Sequence, residues 1–250
     1  GGQQIPIIVP ANEQAAGFMA AGYARSTGRV GVCLVTSGPG ATNTVTPVRD
    51  CMADSVPIVV ICGQVPTAAI GTDAFQEAPV PSIMGAVAKH IFLVTDPTRL
   101  EATVRTAFEI ARTGRPGPVV VDVPKDVQNW QGQFQGFGTL PIPGYRRRMT
   151  ALASQVIDDE HAARFFEMLS ESRRPLIYAG GGVINGGAAD ALTELAVTFG
   201  IPVVTTLMGI GAIDTTHPLS MRMLGMHGAA FANYAVDDWH FLIAVCARFD

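Results

Sequence analysis

Few residues in this chain combine the type and the position that chemistry needs, and those that do sit at turns after apolar runs. Glu13 follows the apolar run at 5–9 and the break Pro10-Ala11-Asn12, in the first turn of a helix-patterned stretch. A carboxylate there complements the positive end of a helix dipole. The same position, after a strand, is where ligands gather in α/β sheets, so Glu13 is also a candidate partner for a heterocycle nitrogen. Ser37-Gly38-Pro39-Gly40 lies between a strand-like run and a helix-like one. Backbone N–H groups at such a turn can hold an anion or a polar ligand edge. The turn matches neither the P-loop pattern nor G-x-G-x-x-G, so an ordinary tight turn is the competing reading. Gly180-Gly181-Gly182 is a second turn of this kind, where bare glycines permit close backbone approach. Gln76 and Lys89 frame a long loop, and loops are where function concentrates, though both also read as ordinary surface.

Other chemistries lack support. The five histidines, His90, His161, His217, His227 and His240, show no metal-ligand spacing. No G-x-S-x-G elbow is present, so acyl-enzyme chemistry has no signature. Met223-Leu224-Gly225-Met226-His227-Gly228 reads by residue type as core. Cys33, Cys51, Cys62 and Cys246 form no C-x-x-C pair and read as reduced core thiols, pointing to a cytoplasmic protein.

The elements that must position these residues follow from patterning. Strands are predicted at 5–9, 30–35, 57–62, 90–94, 118–123, 175–179, 201–205 and 240–247. Helices are predicted at 13–27 with Asn12 as N-cap and Gly28 as stop, from the Gly38 turn to about 53, from 97 to Gly114, and at 158–171 and 187–199. Strands alternating with helices at this spacing give an α/β fold with parallel sheets and helices on both faces, in two Rossmann-like domains, the second incomplete with three strands. The first domain is expected at 1–125, a linker at 126–150 holding the solvated run Arg146-Arg147-Arg148, and the second domain at 151–250. Both chain ends read as cuts through a longer protein.

Composition agrees. Of 250 residues, 48% are hydrophobic and 15% charged, with net charge -4. The apolar content excludes disorder of the whole chain. No Lys/Arg cluster can neutralise many phosphates, so no nucleic acid is expected. No apolar run approaches the roughly 20 residues of a membrane span, and no membrane association is expected. No signal peptide is visible at the start.

Taken together, Asn12-Glu13-Gln14, Gly22-Tyr23-Ala24-Arg25 and Thr36-Ser37-Gly38-Pro39-Gly40-Ala41-Thr42-Asn43 resemble the pyrimidine-binding domain of thiamine-diphosphate decarboxyligases. Gly63-Gln64-Val65-Pro66, Ile70-Gly71-Thr72-Asp73-Ala74-Phe75-Gln76-Glu77, Lys89-His90 and Gly114-Arg115-Pro116-Gly117-Pro118-Val119 narrow the resemblance to the acetolactate synthase (acetohydroxyacid synthase) branch, catalytic subunit. Tyr178 to Gly182, Thr206 to Gly209, Met223 to Gly228 and Ala247 to Asp250 resemble that family's central domain. The resemblance covers nearly the whole chain.

It implies thiamine diphosphate bound by Glu13, Gly38, Pro39 and Asn43. Glu13 would be the catalytic carboxylate that hydrogen-bonds the aminopyrimidine ring, with a pKa raised by burial. Gln76 and Lys89 would line the substrate site. FAD is implied at Arg115, Gly180, Gly181, Gly182, Thr206, Leu207, Met208, Leu224, Gly225, Met226, His227, Arg248 and Asp250. The implied reaction decarboxylates pyruvate and transfers the two-carbon unit to a second 2-oxo acid, in branched-chain amino-acid biosynthesis. A homodimer or homotetramer is implied, and the family allows a regulatory small subunit. Asn12 stands where the family has His. The family's first strand with its Gly-rich loop is absent, as is the diphosphate domain whose Gly-Asp-Gly … Asn signature holds Mg2+. That domain comes from another chain, so this chain alone is expected to be inactive. Alternatives are a sibling carboligase of the glyoxylate carboligase or sulfoacetaldehyde acetyltransferase type, a non-catalytic binding module, or a dinucleotide dehydrogenase.

Overall fold

The computed structural model describes residues 5–249, which form two compact units meeting in sequence at Ser154 and Gln155. In the first unit, helix α1 (Glu13–Thr27) starts where the Asn12 side chain accepts from Ala15 N and ends where Gly28 turns left-handed (φ 69). Both are the caps that the sequence announces. Strand β1 (Gly31–Val35) leads through the glycine turn into α2 (Pro39–Asn43) and α3 (Val45–Asp54), then β2 (Ile58–Gln64), α4 (Val80–Gly85), β3 (His90–Leu93), α5 (Leu100–Arg112) and β4 (Val119–Pro124). Short α6 (Lys125–Gln128) and α7 (Tyr145–Ala153) close the unit.

The four strands form one parallel sheet in the order β1-β2-β4-β3. Ile58, Val59, Val60, Val119, Val120 and Val121 are fully buried because helices cover both faces of the central pair. One face packs Cys33, Cys62 and Val120 against α1, α3 and α4. The other packs Val59, Val119 and Val121 against α5, whose buried Thr103, Thr106, Ala107, Ile110 and Ala111 recur at helical spacing. Burying one Val or Ile side chain contributes roughly 1.5–3 kcal/mol. Edge strand β1 leaves Val32 and Leu34 exposed on the α5 side.

The second unit runs α8 (Asp159–Glu171), β5 (Pro175–Ala179), α9 (Gly181–Asn185), α10 (Ala189–Phe199), β6 (Val203–Thr205), β7 (Ser220–Met223), α11 (Ala230–Asp237) and β8 (Phe241–Val245). Its sheet is also all parallel, in the order β7-β6-β5-β8. Ile177, Ala179 and Val203 pack with α9 and α10 on one face, while Leu176 and Val204 pack with α11 on the other.

Several expectations need correction. Residues 5–9 form no strand: Ile5, Ile7, Ile8 and Val9 are 73–86% exposed, and no strand among the described residues lies beside them to complete a ladder. The helix after Gly38 breaks at Thr44, whose hydroxyl donates to Ala41 O. Helix α4 was too short to show a period. The sheet of the second unit has four strands rather than three, because β7 is short, polar and bulged at left-handed Arg222 (φ 61). Helix α11 lacks a capping side chain and so gave no start signal. Residues 126–150 contain α6 and the start of α7, and they lie along α5: Leu140 N donates to Thr106 Oγ1, and Arg146 pairs with Glu109. Cys246 is exposed, unlike Cys33, Cys51 and Cys62, and Met226 is 92% exposed, so the methionine-rich stretch is not core.

Candidate active site

In a parallel sheet every strand ends at the same edge. Helix α1 feeds into the start of β1, so it runs back against the strands and leaves Glu13, at its first turn, on the carboxyl edge. The turn after β1 emerges there too. Asn43 Nδ2 donates to Glu13 Oε2 at 2.9 Å, and Glu13 Oε1 lies 3.7 Å from where a Cβ on Gly40 would be. The structure thus brings together Glu13, Gly38 to Gly40 and Asn43 from segments 30 residues apart. The Glu13 carboxyl is held below its usual range, chiefly by the Asn43 amide and then by its own helix's N–H, against a smaller effect of burial. In this chain by itself Glu13 is only half-buried and a donor faces it, so burial does not raise its pKa on balance.

Gly38 adopts φ 54, ψ -111, which a side chain would not tolerate. A Cβ there would stand 2.5 Å from Gln76 O. Gln76 itself is left-handed (φ 57), and it is exposed. Residues with strained backbones collect at functional sites. The loop around Gln76 is knotted by Glu77, whose carboxylate accepts from Gly71 N and, at 3.0 Å, from Ala74 N. Gln76 therefore joins Glu13 on the carboxyl edge.

Lys89 does not. It directly precedes β3, so it lies at the opposite edge of the sheet. Its Nζ donates to Ile110 O and, at 2.7 Å, to Thr113 O, closing the C-terminus of α5. Burial, with a smaller contribution from Arg115, pushes its pKa down to about 8. Arg115 is at that same edge, bonded to Ser55 Oγ, Met52 O and Ala53 O.

In the second unit, order β7-β6-β5-β8 places a topological switch point between β5 and β8, and ligands bind outside the carboxyl ends of strands at such points. Gly180 to Gly182 follow β5, Thr206 to Met208 follow β6, Leu224 to His227 follow β7, and Arg248 follows β8. These expected cofactor residues therefore share one edge. Asp250 lies outside the described residues. The glycines are demanded first by the chain itself: a Cβ on Gly180 would strike Cys246 O, one on Gly181 would stand 2.7 Å from Met208 Cβ, and one on Gly182 2.6 Å from Cys246 Cβ. Gly225 holds φ 104 and is clasped by Asn233, which accepts from its N–H and donates to its carbonyl. The Thr205 hydroxyl at the end of β6 is buried without a partner.

Two polar side chains inside the first sheet are not among the expected site residues. Gln64 and Asp122 are 4% and 0% exposed. Gln64 Nε2 donates to Asp122 Oδ2 and to Ala78 O, both at 3.1 Å, and its Oε1 accepts from Val65 N at 2.9 Å. Cys62 Sγ donates to Asp122 Oδ1. Burial raises the Asp122 pKa to about 6 against the lowering effect of these donors. The signal was the interruption of apolar strands IVVICGQ and VVVDVP by single polar residues. Above the carboxyl edge, beside α5, lies a cavity of about 680 Å³ reached by Thr36, Ser37, Gly63, Gln64, Lys125 and Gln128. Among the described residues no helix is long and apolar enough to cross a membrane.

Known proteins place this architecture. Residues 1–84 match the family described as "Thiamine pyrophosphate enzyme, N-terminal TPP binding domain", and residues 162–250 match "Thiamine pyrophosphate enzyme, central domain". The chain belongs to the thiamine pyrophosphate enzymes and carries these two domains. Within that class it is similar to acetolactate synthases. It is 48% identical over 243 residues to acetolactate synthase of Arthrospira platensis, covering 96% of this chain and 41% of that protein. It is 48% identical to the acetolactate synthase large subunit of Corynebacterium glutamicum (97% and 38%), and 44% to the chloroplastic acetolactate synthase of Arabidopsis thaliana (97% and 35%). The chain thus spans about two fifths or less of the length of these curated relatives.

Proposed function

We propose that this chain supplies the pyrimidine-binding and central domains of an acetolactate synthase, which joins the two-carbon unit of pyruvate to a second 2-oxo acid. The observation that carries the reading is Glu13, set by Asn43 and the Gly38 turn on the carboxyl edge of a sheet, in a chain 44–48% identical to acetolactate synthases. Thiamine diphosphate, when bound, supplies the electron sink for decarboxylation. The work of this chain is to place a carboxylate. Glu13 Oε1 and Oε2 offer acceptors for a protonated ring nitrogen, and Asn43 fixes the carboxylate's rotation by holding Oε2. The tight Gly38 and Gly40 turn packs directly on Gln76 and Thr36, which fixes the backbone beside the Glu13 carboxylate. Gln76, exposed and with its backbone against Gly38, is the residue of this edge read as lining the substrate site.

FAD belongs to the reading in the second unit. The carboxyl edge of the second sheet offers groups that suit a flat, anionic dinucleotide: the exposed Leu207 and Met226, the unpartnered Thr205 hydroxyl, and the cation Arg248, beside the glycine turn at Gly180 to Gly182. FAD bound there would present flavin to these surfaces without taking part in the redox balance. The Mg2+ that accompanies the diphosphate is assigned to a further domain. A second chain completing the site makes a homodimer or homotetramer the working assembly, and a regulatory small subunit would act on it. The three buried free thiols suit a reducing, cytosolic compartment.

The test is an assay of the full-length gene product with pyruvate, thiamine diphosphate and Mg2+. The reading requires acetolactate formation and flavin in the purified protein. Turnover of glyoxylate or sulfoacetaldehyde in place of pyruvate would move the assignment to a sibling enzyme.

A further inference from the structure

Gln64 and Asp122 occupy positions where apolar side chains would be cheaper. They stand in strands otherwise built from apolar residues and one glycine, and burying a carboxyl costs free energy that a valine would not. What the two residues do is visible in where the amide reaches. Residues 65–78 form the loop that carries Gln76. Gln64 Oε1 accepts from the first backbone N–H of that loop, at Val65, and Gln64 Nε2 donates to its last carbonyl, at Ala78. One side chain therefore closes both ends of a 14-residue loop. The second N–H of Nε2 goes to Asp122 Oδ2. An ionised carboxylate only accepts, so Asp122 forces the nitrogen of the amide toward itself and the oxygen toward Val65. Cys62 Sγ satisfies the other carboxylate oxygen. Only a primary amide offers two donors and an acceptor on one plane, and glutamine has the reach.

We propose that Gln64 and Asp122 are positioning residues: Asp122 orients the Gln64 amide, and the amide clamps the two ends of loop 65–78 so that Gln76 is held against Gly38. Its catalytic consequence rests on the reading of Gln76 as a site residue; the clamp itself does not.

Amide hydrogen exchange on this chain tests the clamp directly. Gln64→Leu should speed exchange across 65–78 at least tenfold while α1 and β1 keep their protection. Asp122→Asn retains an acceptor for Nε2 and should leave the loop within about twofold of the parent. A double Gln64→Leu, Asp122→Leu variant should exchange no faster in the loop than Gln64→Leu alone, since both act through one bond network. If Gln64→Leu does not fold, Gln64→Asn, one methylene short, serves in its place with the same expectation. Unchanged loop exchange, or a rise spread evenly over the whole first unit, overturns the clamp. In the full-length gene product the loosened loop should lower kcat for 2-oxo acids and leave thiamine diphosphate affinity alone. Loop opening with undiminished kcat would uphold the clamp and count instead against Gln76 as a site residue.

Discussion

The backbone of Gln76 fills the space that a side chain on residue 38 would need, with its carbonyl oxygen 2.5 Å from the Cβ position of Gly38. The turn after β1 and the loop after β2 are therefore one junction, and Glu13 stands on its near side through Gly40 and Asn43.

Replacing Gly38 by Ala should break this junction. The added Cβ meets backbone, which cannot swing aside, and φ 54 with ψ -111 is unfavourable for alanine. A loss of roughly 2–3 kcal/mol is expected, in line with strained positions of this kind. Urea unfolding measures it. A loss under about 0.5 kcal/mol would mean that the loops separate easily.

Asn43 sets the proton affinity of Glu13. Its donated hydrogen bond is the largest cause of the lowered Glu13 pKa, so Asn43→Leu should move that pKa up toward the ordinary glutamate value. The sign follows from linkage. A carboxyl depressed in the folded state adds stability above its unfolded pKa and loses it as pH falls, so the variant should show a smaller acid-side loss from this group. Carboxyl ¹³C NMR titration of Glu13 reads the change. An unmoved titration would remove Asn43 from this role.

Asp122 works in the opposite direction. Its folded pKa, about 6, exceeds the unfolded value of 3.8, so the folded state holds the proton more tightly. Stability from this group is full at acid pH and falls as pH rises from about 4 through 6, by about 3 kcal/mol at 1.4 kcal/mol per unit. Asp122→Asn lacks this slope. Urea curves at pH 4.5, 5.5 and 7 should therefore show the variant gaining on the parent as pH rises. A constant difference would contradict a raised pKa for the buried Asp122.

Much of this was legible in residue patterns. Asn12 and Gly28 bracket α1 with caps that act locally, and the buried strands announce themselves as apolar runs. What local signals could not carry was lost. β7 has no alternation because Arg222 bulges out of it, and α11 has no capping residue. Residues 5–9 look like a strand, but a strand needs a neighbour. Among the expected site residues, Glu13, Gly38, Asn43 and Gln76 lie on one edge, a grouping that the resemblance implied and residue types alone did not. Lys89 has the same chemistry on paper, yet it precedes its strand and so ends on the wrong edge, capping α5. Gln64 and Asp122 were hidden by the opposite effect, since their meaning lies in cross-strand register.

The most direct measurement of the central claim is carboligation by Glu13→Gln in the full-length gene product, with the fold checked by circular dichroism. Glutamine keeps the shape and the Asn43 contact but cannot hold a proton against a ring nitrogen. Acetolactate formation should fall at least a hundredfold with thiamine diphosphate saturating. A variant that forms acetolactate at the parent rate would contradict the claim.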